Sequence, residues 1–197
     1  MFAQMRFVGF VAAFLLVAIA PVTAEPLYNK PVYNPETKSY FELFATNPEA
    51  ARTRLSGGTA QWKWRDAYRV AASRSYNGVR GRLAIVPSQS VHQFLRNTFE
   101  PNISAWIGLR YWCKFHKLQW VDGTLPESGA FAIWGPIWNQ GTTSPDQSKD
   151  RAPCDSSLKS LHLGVHYWST RDGFYWNANG YNKEFSAIFI EYPTGKP

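Results

Sequence analysis

The sequence is poor in cysteine, with two thiols, Cys113 and Cys154, among 197 residues. With so few soft ligands, a metal centre built on thiolates is not expected. In an oxidising compartment an even number of cysteines favours a disulfide, which would contribute about 4 kcal/mol by closing the intervening loop. Two buried free thiols are the alternative.

The sequence also lacks the short motifs of hydrolytic enzymes. It contains neither a nucleophile motif nor an HExxH segment. Asp122 and Glu127 could be imagined as the carboxylate pair of a glycoside hydrolase. Asp122, however, belongs to the turn signal Asp122-Gly123, and nothing in the sequence brackets a substrate cleft. We therefore expect a protein that is not an enzyme.

Charged residues are scarce, at 18% of the chain, and 21 basic against 14 acidic residues give a net charge of +7. A basic surface can attract nucleic acid, anionic membranes or acidic glycans. The basic residues are scattered, and their densest short run is only Arg80-Gly81-Arg82. This scatter favours a solvated surface of mixed charge, and no nucleic-acid partner is expected.

A long apolar run lies near the N-terminus, from Phe7 to Ala20. It follows one positive charge, Arg6, and ends in Val22-Thr23-Ala24, which places small residues at the −3 and −1 positions of a cleavage site. A membrane-spanning helix needs about 20 apolar residues, more than this run offers. Residues 1–24 are therefore predicted to be an export signal peptide. The expected location is secreted or periplasmic, with no stable membrane span after cleavage.

Residues 25–58 are predicted to form a Pro-rich N-terminal extension, which ends in Ser56-Gly57-Gly58. Within it, Asn47 as N-cap and Pro48 in the first turn predict a short helix reaching Leu55. All nine tryptophans lie between Trp62 and Trp176. That interval marks the domain, which we place over residues 59–193.

The first part of this domain predicts a helix, a strand and a second helix. Apolar spacing without Gly or Pro predicts a helix from Thr59 to Tyr76, ended by Asn77-Gly78. A strand is predicted over Gly81–Val86. Ser88 then caps a helix over about Gln89 to Phe99.

The stretch from Ala105 to Gly123 predicts one β unit with a tryptophan-rich core. Trp106-Ile107-Gly108-Leu109 is typical of a buried strand, and its glycine suggests that another backbone or a ring comes close. A polar excursion leads to Trp120-Val121-Asp122-Gly123, a second strand ended by a turn signal. WIGL followed by W-x-D-G is the signature of the C-type lectin-like domain, and the chain resembles that family. The W-x-x-A pattern of Trp64 and Ala67 agrees with it.

The resemblance covers about residues 61–192 and implies an exported, single-domain, bacterial member of the family. It implies an α+β class, the C-type lectin-like fold, with two helices flanking small antiparallel sheets and a long irregular loop. That loop is expected for about forty residues after Gly123. Strands follow over Leu161–Val165, Phe174–Trp176 and Phe185–Tyr192, and in the family the last strand pairs with the N-terminal one.

The chain departs from the family in its cysteines. Ala71 and Ile190 stand where the family's long-range disulfide would join the first helix to the last strand, so hydrophobic packing is expected to replace that bridge. The usual bridge at the base of the long loop lacks the cysteine expected soon after Trp176. Cys113 and Cys154 look like a substitute that ties the WIGL strand to the loop.

The chain also departs from the family in its calcium ligands. Where the family has Glu-Pro-Asn or Gln-Pro-Asp, this sequence has Gly135-Pro136-Ile137-Trp138-Asn139, and the family's Trp-Asn-Asp becomes Trp176-Asn177-Ala178. Ca²⁺ takes about 6–8 oxygen ligands, usually with several carboxylates. We therefore expect no cofactor: calcium is possible but is not expected at the family's usual site.

Two other metal sites are conceivable. The loop acids could form an alternative calcium site, although scattered acids are more often solvated; they are Asp146, Asp150 and Asp155. His162 and His166 are four residues apart, which on a strand separates them by about 13 Å, at about 3.3 Å per residue. A histidine metal site is not expected, and no residue is assigned to a metal.

Several aromatic rings exceed what the family core requires, namely Trp112, Trp138, Trp168 and Tyr175. Exposed rings stack on sugar faces, although a single tryptophan is more often part of a core. Trp138, in the loop, is the best candidate for exposure. The predicted ligand-binding residues are Trp138, Asn139, Asn177, Asn179 and Trp112.

Two functional hypotheses from different classes remain open. In the first, the chain is an exported carbohydrate-binding protein that uses loop aromatics and asparagines with a degraded calcium site. In the second, it is a protein-binding or adhesion module on the same fold, whose aromatic residues act as hot spots. The expected partner is a glycan or a cell-surface protein.

Overall fold

The computed structural model describes residues 27–52, 61–135, 154, 162–170, 173–180 and 182–197. Three helices occur in these ranges: α1 (Pro48–Arg52), α2 (Trp64–Ser73) and α3 (Gln89–Phe99). The strands in the same ranges are β1 (Val32–Asn34), β2 (Ser39–Phe44), β3 (Ser75–Tyr76), β4 (Val79–Arg80), β5 (Arg82–Leu83), β6 (Ala105–Trp112), β7 (Lys117–Trp120), β8 (His162–Thr170), β9 (Gly173–Asn179) and β10 (Ala187–Tyr192). No helix among these residues is long and apolar enough to cross a membrane.

The main sheet has the strand order β1-β2-β10-β6-β8-β9, with β5 added to β10 and β7 added to β6. β10 runs antiparallel to β2 and parallel to β6. Five residue pairs join β2 to β10, from Ile188 with Phe44 to Tyr192 with Tyr40. The segment predicted as an N-terminal extension therefore supplies two strands of the sheet.

Alternation along β10 explains how the helices cover both faces of the sheet. Every residue of β10 is buried, and successive side chains point to opposite faces. Ala187 and Phe189 pack in the cluster that contains α3, while Ile188 and Ile190 pack in the cluster that contains α2. Two helices flanking a largely antiparallel sheet confirm the predicted α+β class.

Local capping signals located two helices correctly. α3 begins and ends where the sequence predicted. Its start is fixed by the Ser88 hydroxyl, which accepts a hydrogen bond from the Val91 amide at 3.2 Å. It stops at Glu100, which has a left-handed φ of 43°. α1 begins at Pro48, as predicted, with the Asn47 side chain accepting from Ala50 N–H at 3.0 Å.

The predicted helix from Thr59 to Tyr76 was too long at both ends. Before α2, Trp62 exchanges backbone hydrogen bonds with Phe185, at 2.8 and 3.1 Å. After α2, β3 and β4 form a hairpin across Asn77 and Gly78. Both turn residues have positive φ, 49° and 76°, which suits the tight turns of hairpins. The prediction that Asn77-Gly78 ends the helix is therefore wrong: the helix ends at Ser73, and Asn77-Gly78 is the turn of the following hairpin.

The strand predicted over Gly81–Val86 is reduced to β5. The Ala84 amide still donates to Phe189 O, at 2.9 Å, but the Ile85 amide donates to the Glu191 carboxylate at 3.1 Å. The pairing of β5 with β10 therefore ends here, because the Ile85 amide donates to a side chain and not to a backbone carbonyl.

The β unit predicted around WIGL is the hairpin of β6 and β7, in which Leu109 pairs with Trp120. The predicted bounds of its second strand, Trp120–Gly123, are wrong, because β7 ends at Trp120 and residues 121–123 form the turn. The close approach predicted at Gly108 is confirmed, since a Cβ there would lie 2.5 Å from Leu83 O. Residues 124–135 follow without regular strands, apart from a single bridge between Trp134 and Trp176. Most of the predicted long loop, residues 136–153 and 155–161, lies outside the described residues.

Both expectations about the cysteine positions are confirmed. Ala71 and Ile190 are fully buried in the same apolar cluster. Gly81 lies between them, and a Cβ there would come within 2.8 Å of each residue. Cys113 and Cys154 form a disulfide with a Cα–Cα distance of 5.5 Å.

Candidate functional site

A groove lies on the α2 side of the sheet, where α2, β6 and β8 meet. Helical spacing places Trp64 and Tyr68 one turn apart on α2, and the alternation of β6 places Arg110 and Trp112 on one face. Trp112 pairs with His162 of β8 across the sheet. The groove has a volume of about 280 Å³ and is lined by Trp64, Arg65, Tyr68, Arg69, Arg110, Trp112 and His162.

Trp64 forms the fixed floor of the groove. Its ring N–H donates to Ile107 O at 2.9 Å, and its side chain lies directly over Gly164, where a Cβ would approach it to 2.5 Å. The glycine therefore creates the seat of the ring. Tyr68, which is 42% exposed, stacks on Trp64 with ring centroids 5.9 Å apart and forms one wall.

Arg110 lies between two tryptophan rings and is oriented by Gln119. Its guanidinium carbon is 4.4 Å from the centroid of the Trp112 ring and 5.9 Å from that of Trp64, within cation–π range. The Gln119 side-chain oxygen accepts from Arg110 Nη2 at 3.0 Å and from the Trp112 ring N–H at 2.8 Å. Gln119 thereby fixes Arg110 and Trp112 relative to one another.

The groove carries positive charge that the described side chains only partly balance. In the described ranges, neither Arg65 nor Arg110 forms an ion pair, while Arg69 pairs with Asp66 at 3.2 Å in an exposed bridge. Burial lowers the pKa of Arg110. Burial also lowers the pKa of His162 to about 4, helped by repulsion from Arg110 and Arg65. The histidine is therefore neutral near pH 7, and the groove's charge comes from its arginines.

The structure brings Trp112 into the groove, and it places Asn177 and Asn179 on the same face of the sheet through β9. The Asn179 amide nitrogen is 2.7 Å from His166 Nε2, and Asn177 Oδ1 accepts from the Ala178 amide at 2.8 Å. Because His166 Nδ1 donates to Tyr167 O at 3.0 Å, its Nε2 accepts from Asn179. Trp138 and Asn139, the two loop candidates, lie outside the described residues.

Of the seven residues that line the groove, sequence reasoning predicted only Trp112 as ligand-binding and missed the other six: Trp64, Arg65, Tyr68, Arg69, Arg110 and His162. A signal for them was present. The pattern W-R-x-x-Y-R in α2 repeats an aromatic and an arginine at i and i+4, which lie on one side of a helix. R-x-W in β6 places the same two residue types on one side of a strand.

The described residues do not fit the family's calcium site. Ala178, which stands in place of the family's carboxylate ligand, is 3% exposed and offers no side-chain oxygen. No group of three or more acidic, histidine or cysteine side chains with metal-binding geometry occurs among the residues that the structure describes. His162 contacts Trp64 and Trp112, whereas His166 bonds Asn179, so the two histidines serve different neighbours.

Asp122 has the structural role that its Asp-Gly turn predicted. Its Oδ1 accepts hydrogen bonds from the Thr124 amide at 3.0 Å and from the Thr124 hydroxyl at 2.7 Å. Its Oδ2 is 3.7 Å from Arg82 Nη1. Both oxygens therefore hold the turn that follows β7.

The fold is that of C-type lectin domains. The solved structure of the SPL-1–GlcNAc complex matches with a TM-score of 0.54 and 16% identity, over 85% of this chain and 96% of that chain. The cow CD23 carbohydrate-recognition domain, solved in the presence of a GlcNAc2Man3 oligosaccharide, matches with a TM-score of 0.52 and 15% identity, over the same shares. Murine dendritic cell inhibitory receptor 2, in complex with N-glycan, matches with 0.50 and 15%, over 81% and 94%. No protein-family model and no curated protein matches the sequence.

Proposed function

We propose that this chain is an exported C-type lectin-like protein that binds carbohydrate in the groove between α2, β6 and β8. The observation that carries the proposal is the groove itself, in which Tyr68 and Trp112 stand beside fixed hydrogen-bond donors. Aromatic rings stack on sugar C–H faces, and guanidinium N–H groups bond hydroxyls and anions. The fold shared with domains solved with bound glycans supports it.

The loop residues belong to the same proposal. Trp138 and Asn139 would extend the site from the long loop predicted after Gly123, and Asn177 and Asn179 would supply hydrogen bonds along β9. Binding is proposed to be independent of calcium, because Ala178 replaces a ligand of the family's site. We propose binding and not catalysis, since Asp122 is engaged in its turn.

The disulfide supports export. Disulfides persist in oxidising compartments and are rare in the cytosol, and Cys113 with Cys154 forms one. The apolar run predicted as part of a signal peptide over residues 1–24 also supports export, and on these two grounds we propose a secreted or periplasmic location.

The test is binding of the purified protein to an immobilised glycan panel, with calcium and with a chelator. We expect binding that the chelator leaves unchanged. Trp112→Leu should weaken it about tenfold or more, because the variant loses one ring that stacks on the sugar. Phe115→Leu is the matched control, because Phe115 is also aromatic, is 60% exposed and does not line the groove.

The other outcomes contradict the proposal in separable ways. Binding abolished by the chelator would show a metal site, placed outside the described residues. Equal binding by Trp112→Leu and the unaltered protein would remove the groove from the site. Silence across the panel, from a sample with cooperative unfolding, would favour the protein-binding alternative.

A further inference from the structure

Half-buried arginines elsewhere in this protein are matched by buried carboxylates. Arg74 Nη2 is 2.9 Å from Glu42 Oε1, and Arg82 Nη2 is 3.0 Å from Glu191 Oε1. The carboxylate side chains are 0% and 3% exposed. Each of these charges is therefore satisfied within the fold.

Arg110 differs from these arginines. It is also half-buried, but among the described residues its hydrogen-bond acceptor is the neutral Gln119. Its Nε is buried without a hydrogen-bond partner in the described structure. A guanidinium has five N–H donors in a planar fork that matches a carboxylate or sulfate. Taking a charge out of water without a counter-charge is unfavourable, so an arginine in this state is suited to an incoming anion.

The surroundings of Arg110 set the chemistry of that anion. Trp112 and Tyr68 offer apolar ring surface beside the guanidinium, while Arg65 and Arg69 add charge at the rim from α2. The volume of about 280 Å³ is near the lower end for small-molecule sites, about 300–1,000 Å³. Ring surface beside a cation, in a groove of this size, fits one charged sugar unit.

We propose that the groove binds an acidic saccharide, with Arg110 holding the carboxylate or sulfate and Trp112 packing on the sugar ring. This inference rests on the proposed carbohydrate binding and narrows it to anionic glycans. Arg65 and Arg69 attract the ligand to the rim. Gln119 is a positioning residue, whose side-chain oxygen accepts hydrogen bonds from both Arg110 and Trp112 and so fixes their relative orientation.

The first experiment compares glycans that differ only in charge. Oligogalacturonate is compared with its methyl ester, and dextran sulfate with dextran, by calorimetry on the purified protein. We expect the charged member of at least one pair to bind about tenfold tighter or more, because hydrogen bonds to charged groups contribute about 1.5–3 kcal/mol. The pair that responds tells a carboxylate ligand from a sulfate ligand.

The second experiment removes the arginines. Arg110→Gln should lower affinity for the charged glycan about tenfold or more and lower affinity for its neutral partner clearly less. The double variant Arg65→Gln and Arg69→Gln alters exposed residues, keeps the fold and should show the same trend more weakly. Arg80→Gln is the control, because Arg80 is exposed on β4, outside the groove lining.

Three results would overturn the inference. Equal binding of the charged and neutral partners would refute it while leaving carbohydrate binding intact. Displacement of the glycan by inorganic sulfate, but not by chloride at equal ionic strength, would reveal a simple anion site. No binding of any of the four glycans by the folded protein would refute both the inference and the proposed function.

Discussion

Two arginines on the α2 side of the sheet have opposite electrostatic surroundings. At the C-terminal end of α2, the Arg74 guanidinium meets the fully buried Glu42 carboxylate, which also accepts a hydrogen bond from Tyr192. Toward the N-terminal end of α2, Arg110 lies among rings and a glutamine, with no carboxylate partner among the described residues. Burial opposes both charges, but the Tyr192 hydrogen bond and Glu42 raise the pKa of Arg74, whereas burial lowers that of Arg110.

This difference assigns the two arginines different roles: Arg74 stabilises the fold, whereas we propose that Arg110 binds ligand. Glu42 and Arg74 form part of a closed network, in which burial and the Glu42 hydrogen bond raise the pKa of Tyr192 to about 12. Such a network stabilises the fold only while it is complete. Arg110 forms no ion pair among the described residues, and we propose that the anionic ligand supplies its counter-charge.

The largest expected effect comes from breaking the closed network. Arg74→Gln leaves Glu42, which is 0% exposed, without its counter-charge and should lower the free energy of unfolding by about 3–5 kcal/mol. Chemical denaturation measures it, with Arg80→Gln as the control for loss of one positive charge. A loss below about 1 kcal/mol would mean that the pair is no stronger than a surface salt bridge.

Acid should act next, through histidines buried on both faces of the sheet. Burial, reinforced by Arg96, lowers the pKa of His92 to about 4, and burial, reinforced by Lys183, lowers that of His166 to about 3. The unfolded chain, with a histidine pKa of about 6.5, then binds more protons than the folded one, so stability falls as pH drops below 6.5. His162, whose pKa burial also lowers to about 4, adds to this effect, so from pH 7 to 5.5 we expect a loss of about 3–4 kcal/mol in total.

Denaturation at the two pH values measures this loss. His92→Gln should reduce this pH dependence by about a third, because it removes one of the three histidines whose pKa is lowered in the fold. Equal stability at pH 5.5 and 7 would show that none of the three histidines stays neutral in the fold.

A glycine tests the floor of the groove. Gly164→Ala places a methyl group 2.5 Å from Trp64, so the ring must shift, and overpacking of this kind costs about 1–3 kcal/mol. Glycan affinity should fall as well, since Trp64 supports Tyr68 and Arg110. Gly135→Ala is the matched control, because the nearest atom there is 3.4 Å away. Unchanged stability and affinity in Gly164→Ala would mean that the ring moves freely.

The smallest effect on stability is expected where the effect on binding is largest. Arg110→Gln is the same substitution as Arg74→Gln, but it breaks no ion pair among the described residues and should change the free energy of unfolding by less than about 1 kcal/mol. Thermal and chemical unfolding of the two variants, measured together, give the comparison. A loss as large as that of Arg74→Gln would make Arg110 a structural residue.

Local signals carried most of what the sequence predicted. Ser88 and the apolar spacing after it defined α3 because a cap and a helical face lie within a few residues of each other. The WIGL hairpin and its Asp122 turn are equally local. The role of β2 was not readable, because Glu42 looks out of place in an apolar strand until Arg74 and Tyr192, distant in sequence, meet it.

The candidate site shows the same limit: features carried by neighbouring residues were predictable, and contacts between distant elements were not. Trp112 was identified as a candidate from its surplus over the family core, and it does line the groove. Its neighbours were missed because three separate elements supply them, and only the fold shows that the arginines of α2 and β6 share one face. The motif-based candidates Trp138 and Asn139 stay predictions.

The place of β10 in the sheet also determines the order in which this protein can fold. Its partners β2, β5 and β6 all precede it in the chain, and β10 lies between β2 and β6. During synthesis β2 must therefore wait, with an unpaired edge, until residues 187–192 have emerged. Closing such distant pairs is slow, and open edges invite association with other chains. The pairing of β10 with β2 and β6 is thus the step that completes the sheet.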